Sequence, residues 1–467
     1  MNNMSAFNLA RLVRTKAASP VEILKVHLDA IARANPALNA ICTLAAEQAM
    51  AAAEAAEDGV MRGRALGPLH GVPIGIKDVT PTAGIRTTYG SPLYADHVPE
   101  EDAEVVTRLK AAGAIIVGKT NTPEFATGAN TINKVFGATR NPWDLRLTAG
   151  GSTGGGAAAV AARMLPLAEG TDLGCSLRVP AAYCGVVGLR PTAGLVPNDP
   201  EPLPWDPTLV HGPIARSALD VGLMLDAMAG ASALSPISFD APWRGAMVRM
   251  LEETHDLRRV SIGYAADIAG LGVDAEIERV CRSAALGLSQ AHATVREVTL
   301  DLADGRDAYQ VLRGEWMVAH YHDRLDHLHE LGPNLAGNIE SGLALTIRDV
   351  AAAERNRTEI WHRLRRFFSE FDLLLTPTVP VAPFPVEKNY PDEIGGKKLD
   401  NYTAWYAPAF LISLISLPAA SVPAGITDSG LPVGIQIIGP RCAEPSILAC
   451  AKLIAEQNPI GRPPHAA

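Results

Sequence analysis

Helical periodicity marks the first part of the chain. In residues 18–36 the apolar side chains recur near the spacing of one helix face. These side chains are Val21, Ile23, Leu24, Leu28 and Ile31. Ser19 and Glu22 have the spacing of a capping box, and Pro36 is expected to end the helix. With the amphipathic residues 1–14, this pattern predicts that the N-terminal sixty residues are helical.

Apolar runs without helical spacing predict buried strands farther along the chain. Residues 69–79 mix apolar side chains with glycines and one proline, which predicts a short buried strand. Three more apolar runs predict further strands: 114–118, 260–267 and 371–380. Residues 418–440 predict two strands that are joined by a turn at 427–430.

Helical patterns alternate with these strands. Residues 99–113 open with acidic side chains and close with glycine, as a helix does. Residues 122–128 predict another helix, with Thr122 as its N-cap and Pro123 at its first position, and a third pattern covers about 274–291. Strands that alternate with helices predict an α/β fold with a mixed sheet. No linker or repeat interrupts the chain, so we expect one compact domain.

Composition and charge exclude some classes of protein. The 467 residues are 48% hydrophobic and 19% charged, which fits a large core with little surface per residue. The 41 Lys and Arg residues against 50 Asp and Glu residues give a net charge of −9, and no basic patch predicts a nucleic-acid partner. No uncharged apolar stretch of membrane-spanning length and no apolar leader is present. We therefore expect a cytoplasmic protein with no nucleic-acid or membrane partner.

Cysteine and histidine spacing does not favour a metal site. The six cysteines are scattered without CxxC or zinc-type spacing, which predicts free thiols in a reducing compartment. Residues 319–330 hold a polar cluster made of His320, His322, His327, His329, Asp323 and Asp326. On a helix His320 and His327 share a face, but His320 and His322 diverge. A solvated polar helix is the favoured interpretation, and we expect neither a metal nor a cofactor.

The glycine-rich segment LTAGGSTGGGAAAVAAR, residues 147–163, is the first candidate for chemistry. A phosphate-binding loop is disfavoured, because such a loop needs a lysine after its glycines and alanines follow here. The segment contains G-x-S-x-G around Ser152, but a polar loop precedes it where a nucleophile elbow needs a buried strand. Since His211 and other histidines follow, a hydrolase of that type stays open.

A third interpretation combines this segment with its neighbours. Ser176 follows small residues in the turn-like TDLGCS, where successive backbone N–H groups could form a nest for a developing oxyanion. Lys77 lies at the end of the apolar run 69–79. Because burial disfavours the ammonium form, the pKa of such a lysine falls and the neutral amine can act as a base.

Four blocks of sequence in order resemble the amidase signature family. They are GVPIGIKD, AGGSTGGGAAAVAARMLPLAEGTDLGCSLRVPAAYCGVVGLRPT, GPIARSALD, and LPAASVPAG followed by GLPVGIQIIGP. The resemblance runs from near residue 5 to near residue 456. It implies an α/β/α fold around a large mixed, twisted sheet, with N-terminal helices at about 5–56 and a signature core at about 65–225. It also implies hydrolysis of C–N bonds through a serine acyl-enzyme without a metal or cofactor.

The resemblance also assigns roles to residues. Lys77 matches the family's catalytic lysine, Ser152 the serine that follows a cis peptide bond, and Ser176 the nucleophile. Four residues match the loop of the oxyanion hole: Leu173, Gly174, Cys175 and Ser176. Ala126 and Thr153 match positions near the bound substrate. The family usually has glycine where this chain has Cys175, so Cys175 as the nucleophile is a second hypothesis.

Aromatic residues near the predicted site allow two interpretations each. Residues 198–213 carry Trp205 and His211 in a proline-rich stretch that is either a loop over the cleft or a plain surface connection. Tyr402, Trp405 and Tyr406 are typical of a core, but they would favour bulky apolar substrates if they lined the cleft.

The favoured function is that of a stand-alone amidase that acts on a small-molecule amide or carbamate, as a monomer or homodimer. The alternative is the glutaminase component of a tRNA-dependent amidotransferase, whose activity depends on a partner protein. A non-catalytic binding protein on the same fold is the third hypothesis. The residues do not distinguish among aliphatic amides, aryl amides, carbamates, ureas and hydrazides.

Overall fold

Helices account for much of the computed structural model, which describes residues 1–399 and 401–467. Fourteen α-helices lie in this part of the chain: α1 (Ala6–Arg14), α2 (Pro20–Leu38), α3 (Ala46–Met61), α4 (Glu104–Ala111), α5 (Gly154–Ala161), α6 (Arg178–Cys184), α7 (Ala218–Met228), α8 (Met247–Glu253), α9 (Ala275–Gly287), α10 (Gly305–His320), α11 (Pro333–Leu343), α12 (Ile347–Phe367), α13 (Ala407–Leu414) and α14 (Glu444–Gln457). None of these described helices is both long enough and apolar enough to cross a bilayer.

Fifteen strands are described, and eleven of them form one sheet. The strands are β1 (Ile41–Leu44), β2 (Pro73–Lys77), β3 (Ile115–Thr120), β4 (Ile132–Asn133), β5 (Gly137–Ala138), β6 (Leu167–Asp172), β7 (Val187–Arg190), β8 (Val210–Ala215), β9 (Ser261–Tyr264), β10 (Thr294–Glu297), β11 (Leu373–Pro377), β12 (Glu393–Ile394), β13 (Lys397–Lys398), β14 (Ala419–Ile426) and β15 (Pro432–Ile438). The large sheet has the order β1-β3-β2-β6-β8-β7-β14-β15-β11-β9-β10.

The large sheet is mixed, and helices cover both of its faces. β2 pairs in parallel with β3 and β6, whereas β8 runs antiparallel to β6. In β11, Leu373 and Leu375 pack in the core under α7, α9 and α14, while Leu374 packs with α10, α12 and α13. This alternation follows from the two-residue period of a strand. The predicted α/β/α arrangement is confirmed, and the single domain stays a prediction.

Two predictions for the N-terminal region were wrong. Pro36 does not end its helix, because α2 continues to Leu38 beyond the confirmed capping box. Pro36 is accommodated inside the last turn of α2, although it has no backbone N–H to donate. The helix ends at Asn39, which adopts a left-handed φ of 51°. Strand β1 then follows, so the N-terminal region is not purely helical.

The predicted helix at 122–128 is also wrong. The structure has only a short 3₁₀ turn there, Glu124–Ala126. Phe125 and Ala126 take φ values of 46° and 56°, which a right-handed helix cannot accommodate. This turn brings Phe125 and Ala126 to the wall of the large cavity described below.

Helix α5 is buried at every position and packs directly on neighbouring backbone. An added Cβ at Gly155 would lie 2.3 Å from the backbone nitrogen of Asn121 and 2.5 Å from the carbonyl oxygen of Ala40. Backbone atoms on both sides cannot move aside as the end of a side chain can. Glycine is therefore required at this position for the helix to approach β1 and β3.

Gly155→Ala tests this close approach. We expect the free energy of unfolding to fall by about 2 kcal/mol or more, because the added methyl group overpacks the contact. Gly337→Ala in α11 is the matched control, since an added Cβ there meets no atom within 4 Å. The control should be neutral or slightly stabilising. Thermal unfolding of both variants is the measurement, and an unchanged midpoint in Gly155→Ala would contradict the packing.

Candidate active site

Lys77 and Ser152 meet in the interior of the protein. Lys77 is the last residue of β2 and is fully buried, as its whole strand is. Its Nζ lies 2.7 Å from Ser152 Oγ and 2.9 Å from Thr171 Oγ1. Ser152 follows the cis peptide bond Gly151–Ser152, as the resemblance implied. The structure thus joins the lysine and the first serine of the predicted triad directly.

Burial controls the protonation of this lysine. Removal from water lowers the pKa of Lys77 from 10.5 to about 7, although the charges of Glu169 and Asp172 act in the opposite direction. Neither carboxylate forms a salt bridge of 4.0 Å or less with the amine among the described residues. A substantial fraction of Lys77 is therefore neutral at neutral pH and able to accept a proton.

Ser176 lies in the turn between β6 and α6, and it lines the same cavity as Ser152. The backbone N–H of Thr153 donates to the carbonyl oxygen of Ser176 at 3.2 Å, which ties the two serine segments together. Within the described residues, the Ser176 hydroxyl has no hydrogen-bond partner. None of the four backbone N–H groups of residues 173–176 donates to a described protein acceptor either. This turn therefore offers a hydroxyl and free N–H donors side by side.

A buried ionic network holds the turn in place. Arg178 donates to both carboxylate oxygens of Asp172, at 2.9 and 3.1 Å, and to the carbonyl oxygen of Gly174 at 2.8 Å. The Asp172 carboxylate also accepts from the backbone N–H of Leu177 at 3.0 Å. Burial alone would raise the pKa of Asp172, but Arg178 and Arg190 hold it below its usual value. The carboxylate stays ionised and fixes both ends of the turn.

The site opens into a cavity of about 640 Å³. Seven aromatic rings line it: Tyr89, Tyr94, Phe125, Tyr309, Trp316, Tyr321 and Tyr406. Polar and charged groups also reach the wall, among them Arg313, Arg324, His320, His211 and Glu201. The cavity is large enough for a small organic molecule and offers it both aromatic and polar groups.

The two residues predicted near the substrate differ in position. Ala126 lines the cavity. Thr153 is fully buried below it, where its hydroxyl lies 3.4 Å from the carbonyl oxygen of Thr171 and its backbone bonds Ser176. Any influence of Thr153 on a substrate would therefore pass through Thr171 or Ser176.

The aromatic and histidine residues that allowed two interpretations lie in different places in the structure. Trp205 is 74% exposed, whereas His211 lies in β8, with Nδ1 2.7 Å from Glu169 Oε1 and Nε2 2.9 Å from Asn198 Oδ1. Trp405 belongs to the core and stacks on Tyr183. Its neighbour Tyr406 reaches the cavity. Tyr402 accepts hydrogen bonds from Arg313 and Asn338.

The histidine cluster has no metal-binding geometry in the described part of the chain, where no group of three or more His, Cys, Asp and Glu side chains converges. The continuous polar helix was wrong, since α10 ends at His320 and residues 322–330 form 3₁₀ turns that are broken at His327. His320 turns toward the cavity, stacks on Trp316 and lies 3.0 Å from Glu201.

Some site residues were missed because no local pattern marks them. Thr171 and Glu169 lie two residues apart on one face of β6, and both contact Lys77. Thr171 contacts the Lys77 amine, and Glu169 accepts the Lys77 backbone N–H at 3.1 Å. The two-residue spacing of Glu169 and Thr171 places them on one face of a strand, but this spacing alone does not mark a site. Arg313 lies about 140 residues downstream of Ser176 in an ordinary amphipathic helix, and only the fold brings it near.

Comparison with known proteins agrees with this geometry. The amidase family model matches residues 22–448. An acylamidase of Rhodococcus erythropolis is 35% identical over 440 residues, which are 93% of this chain and 91% of the relative. The A component of a glutamyl-tRNA(Gln) amidotransferase from Acidothermus cellulolyticus is 34% identical over 472 residues, covering 94% and 91%.

A solved bacterial aryl acylamidase of the amidase signature family has a TM-score of 0.90 at 29% identity, over 98% of this chain and 96% of that chain. The protein is thus a hydrolase that acts on carbon–nitrogen bonds other than peptide bonds. It belongs to the amidase signature family, and the resemblance found in the sequence is confirmed.

Thiol labelling tests the hypothesis that Cys175 is the nucleophile. The Cys175 side chain is buried, and burial raises the pKa of its thiol well above the usual value. Because the thiolate is the reactive form, we expect iodoacetamide at neutral pH to label the half-buried Cys442 long before Cys175, with activity retained. Peptide mass spectrometry measures both sites. Rapid labelling of Cys175 with parallel loss of activity would restore that hypothesis.

Proposed function

We propose that this protein is an amidase in which Ser176 is the nucleophile, Ser152 relays protons and Lys77 is the base. The observation that carries the proposal is the contact of 2.7 Å between the fully buried Lys77 amine and Ser152, at the floor of the cavity that Ser176 also lines. Among the described residues the Lys77 amine forms no ion pair, and its close side-chain partners are two hydroxyl groups.

In the first half of the reaction, neutral Lys77 accepts the Ser152 proton while Ser152 accepts the proton of Ser176. The Ser176 oxygen then attacks the carbonyl carbon of the amide and forms a C–O bond. Ser152 next donates a proton to the departing nitrogen and takes one back from the Lys77 ammonium, so that the C–N bond breaks to release a neutral amine and Lys77 is neutral again. An acyl group remains on Ser176, and water hydrolyses this ester by the same proton route.

The negative charge that develops on the substrate oxygen needs donors close by. The N–H groups of Leu173, Gly174, Cys175 and Ser176 are the proposed donors, since they have no described protein acceptor. Loss of one such donor typically costs about 10²–10³ in rate. The Asp172–Arg178 network would then serve catalysis by keeping this turn rigid before the substrate arrives.

The aromatic rings that line the cavity favour a substrate that is a small amide with an apolar or aromatic group. Seven rings line the cavity, and the relatives include an acylamidase and an aryl acylamidase. Hydrolysis of a carbamate would use the same attack on the carbonyl carbon. Turnover of a panel of anilides, primary amides and carbamates by the purified chain alone tests this assignment.

The glutaminase component of an amidotransferase is the second candidate, because the A components of such enzymes are similar over nearly the whole chain. That function predicts ammonia release from glutamine that depends on a partner protein. Turnover of anilides without any partner favours the stand-alone amidase, whereas glutamine hydrolysis that appears only on addition of the other amidotransferase components favours the second candidate.

Ser176→Ala tests the nucleophile. We expect kcat/KM to fall by at least about 10³-fold without loss of folding, since no bond to carbon can form. Reaction with a fluorophosphonate probe should also disappear. Ser289→Ala, at an exposed serine on the protein surface, is the matched control and should keep full activity and labelling. Normal turnover by folded Ser176→Ala would exclude the proposed role.

The pH profile tests the lysine. Because the pKa of Lys77 is lowered to about 7 and the neutral amine is the active form, kcat/KM should rise with pH through about 7 and then level off. Below that point the rate should fall about tenfold for each pH unit. The measurement is hydrolysis of an uncharged anilide across neutral pH. A flat profile through this range, or an active Lys77→Met variant, would contradict the role of the base.

A further inference from the structure

Arg313 is a buried cation on the cavity wall, and the described residues give it no carboxylate partner. It lies in α10, its side chain is only 7% exposed, and it lines the cavity that Ser176 also lines. Among residues 1–399 and 401–467, no carboxylate oxygen lies within 4.0 Å of its guanidinium nitrogens. Buried arginines are normally paired, because the removal of a charge from water is costly. In the described part of the chain, no ionic partner offsets the cost of burying the charge of Arg313.

The contacts of Arg313 are all to neutral oxygens. Nε donates to Asn338 Oδ1 at 2.9 Å, and Nη2 donates to the Tyr402 hydroxyl at 3.0 Å. Nη1 donates to the Tyr309 hydroxyl at 3.4 Å. A guanidinium carries five N–H groups, so these three bonds leave two donors unused. The neutral contacts fix the orientation of the side chain but do not neutralise its charge.

Tyr309 adds a second donor at the same place. Its hydroxyl oxygen accepts from Arg313, and burial raises the pKa of Tyr309 to about 12, so the phenol keeps its proton. This O–H is free to donate because it has no acceptor among the described residues. The Tyr309 hydroxyl also lies against the proposed oxyanion turn, since a Cβ added at Gly174 would be 2.3 Å from it. The Tyr309 hydroxyl, which Arg313 contacts, therefore lies beside the proposed reacting centre.

Three carboxylates near the cavity have neighbours other than Arg313. Glu201 lies 3.0 Å from His320, and Asp206 accepts from the indole N–H of Trp316 at 2.9 Å. Asp199 faces Glu101 and Glu104, whose charges raise its pKa together with burial, the largest cause. None of the three neutralises Arg313. An anion that enters the cavity would find two unused N–H groups and one O–H.

We infer that Arg313 and the Tyr309 hydroxyl bind a carboxylate of the substrate, so that the natural substrate is an amide that also carries a carboxylate group. This inference rests on the proposed function for the position of the scissile bond. A planar guanidinium suits a carboxylate because it can donate two parallel hydrogen bonds. The aromatic rings then hold the apolar part of the same molecule.

Binding to the Ser176→Ala protein tests the inference without turnover. Two pairs of probes place the charge on either side of the amide: 4-acetamidobenzoate against 4-acetamidobenzamide, and succinanilate against its methyl ester. Isothermal calorimetry should show that the acid of at least one pair binds roughly 10- to 100-fold more tightly than its neutral partner, the range of a charge-assisted hydrogen bond. Arg313→Gln should abolish this preference, and Arg313→Lys should keep part of it.

Arg348→Gln is the matched control, because it removes the same charge from an exposed position and should leave the preference intact. Equal binding of acid and neutral probes in both pairs would overturn the inference, as would a preference that survives in Arg313→Gln. If Arg313→Gln fails to fold, the pairs measured with intact Arg313 and with Arg313→Lys still decide. Turnover by Ser176→Ala would refute the proposed mechanism alone, because the binding preference is measured separately.

Discussion

An amine held away from water at the end of an interior strand is the feature on which the rest of this site depends. β2 lies between β3 and β6, so Lys77 emerges inside the protein and not at its surface. Burial lowers the pKa of Lys77 to about 7, and Glu169 and Asp172 limit that fall. Without those charges desolvation would keep the lysine neutral over a wider range of pH, and it would be a weaker base. The balance suits a group that must take up and release a proton at neutral pH.

The carboxylates that set this balance also organise the neighbouring backbone. Glu169 accepts from the Lys77 N–H and from the Thr80 hydroxyl, while Asp172 binds Arg178 and the N–H of Leu177. Buried charges of this kind contribute little net stability, since desolvation offsets their attraction. They do define one geometry for the turn that carries Ser176. The same two side chains thus raise the pKa of Lys77 and position the neighbouring backbone.

The cavity is assembled from segments far apart in the sequence. The turn at 125–128, the loop at 198–202 and helix α10 each contribute to its wall, which Ser152 and Ser176 also line. In this protein the wall combines aromatic rings with the buried Arg313, and this combination is the basis of the proposed substrate, an amide with both an aromatic and an anionic part.

Local features of the fold could be predicted from the sequence with good success. The capping box of Ser19 and Glu22, the buried run at 373–377 and the hairpin at 419–438 all depend on neighbouring residues, and each is present. The helix predicted at 122–128 failed because its backbone is fixed by contacts with distant segments. Phe125, for example, donates its backbone N–H to the carbonyl oxygen of Tyr89.

The sequence by itself determined the family and the three residues proposed for catalysis, because Lys77, Ser152 and Ser176 stand in long, specific blocks of small residues. Only the tertiary structure decided which distant side chains surround them. Glu169 and Thr171 face the lysine because strand β6 pairs with β2, and Arg313 reaches the cavity because α10 packs on α13 under the sheet. Contacts of this kind depend on three-dimensional packing, which leaves no fixed spacing along the chain.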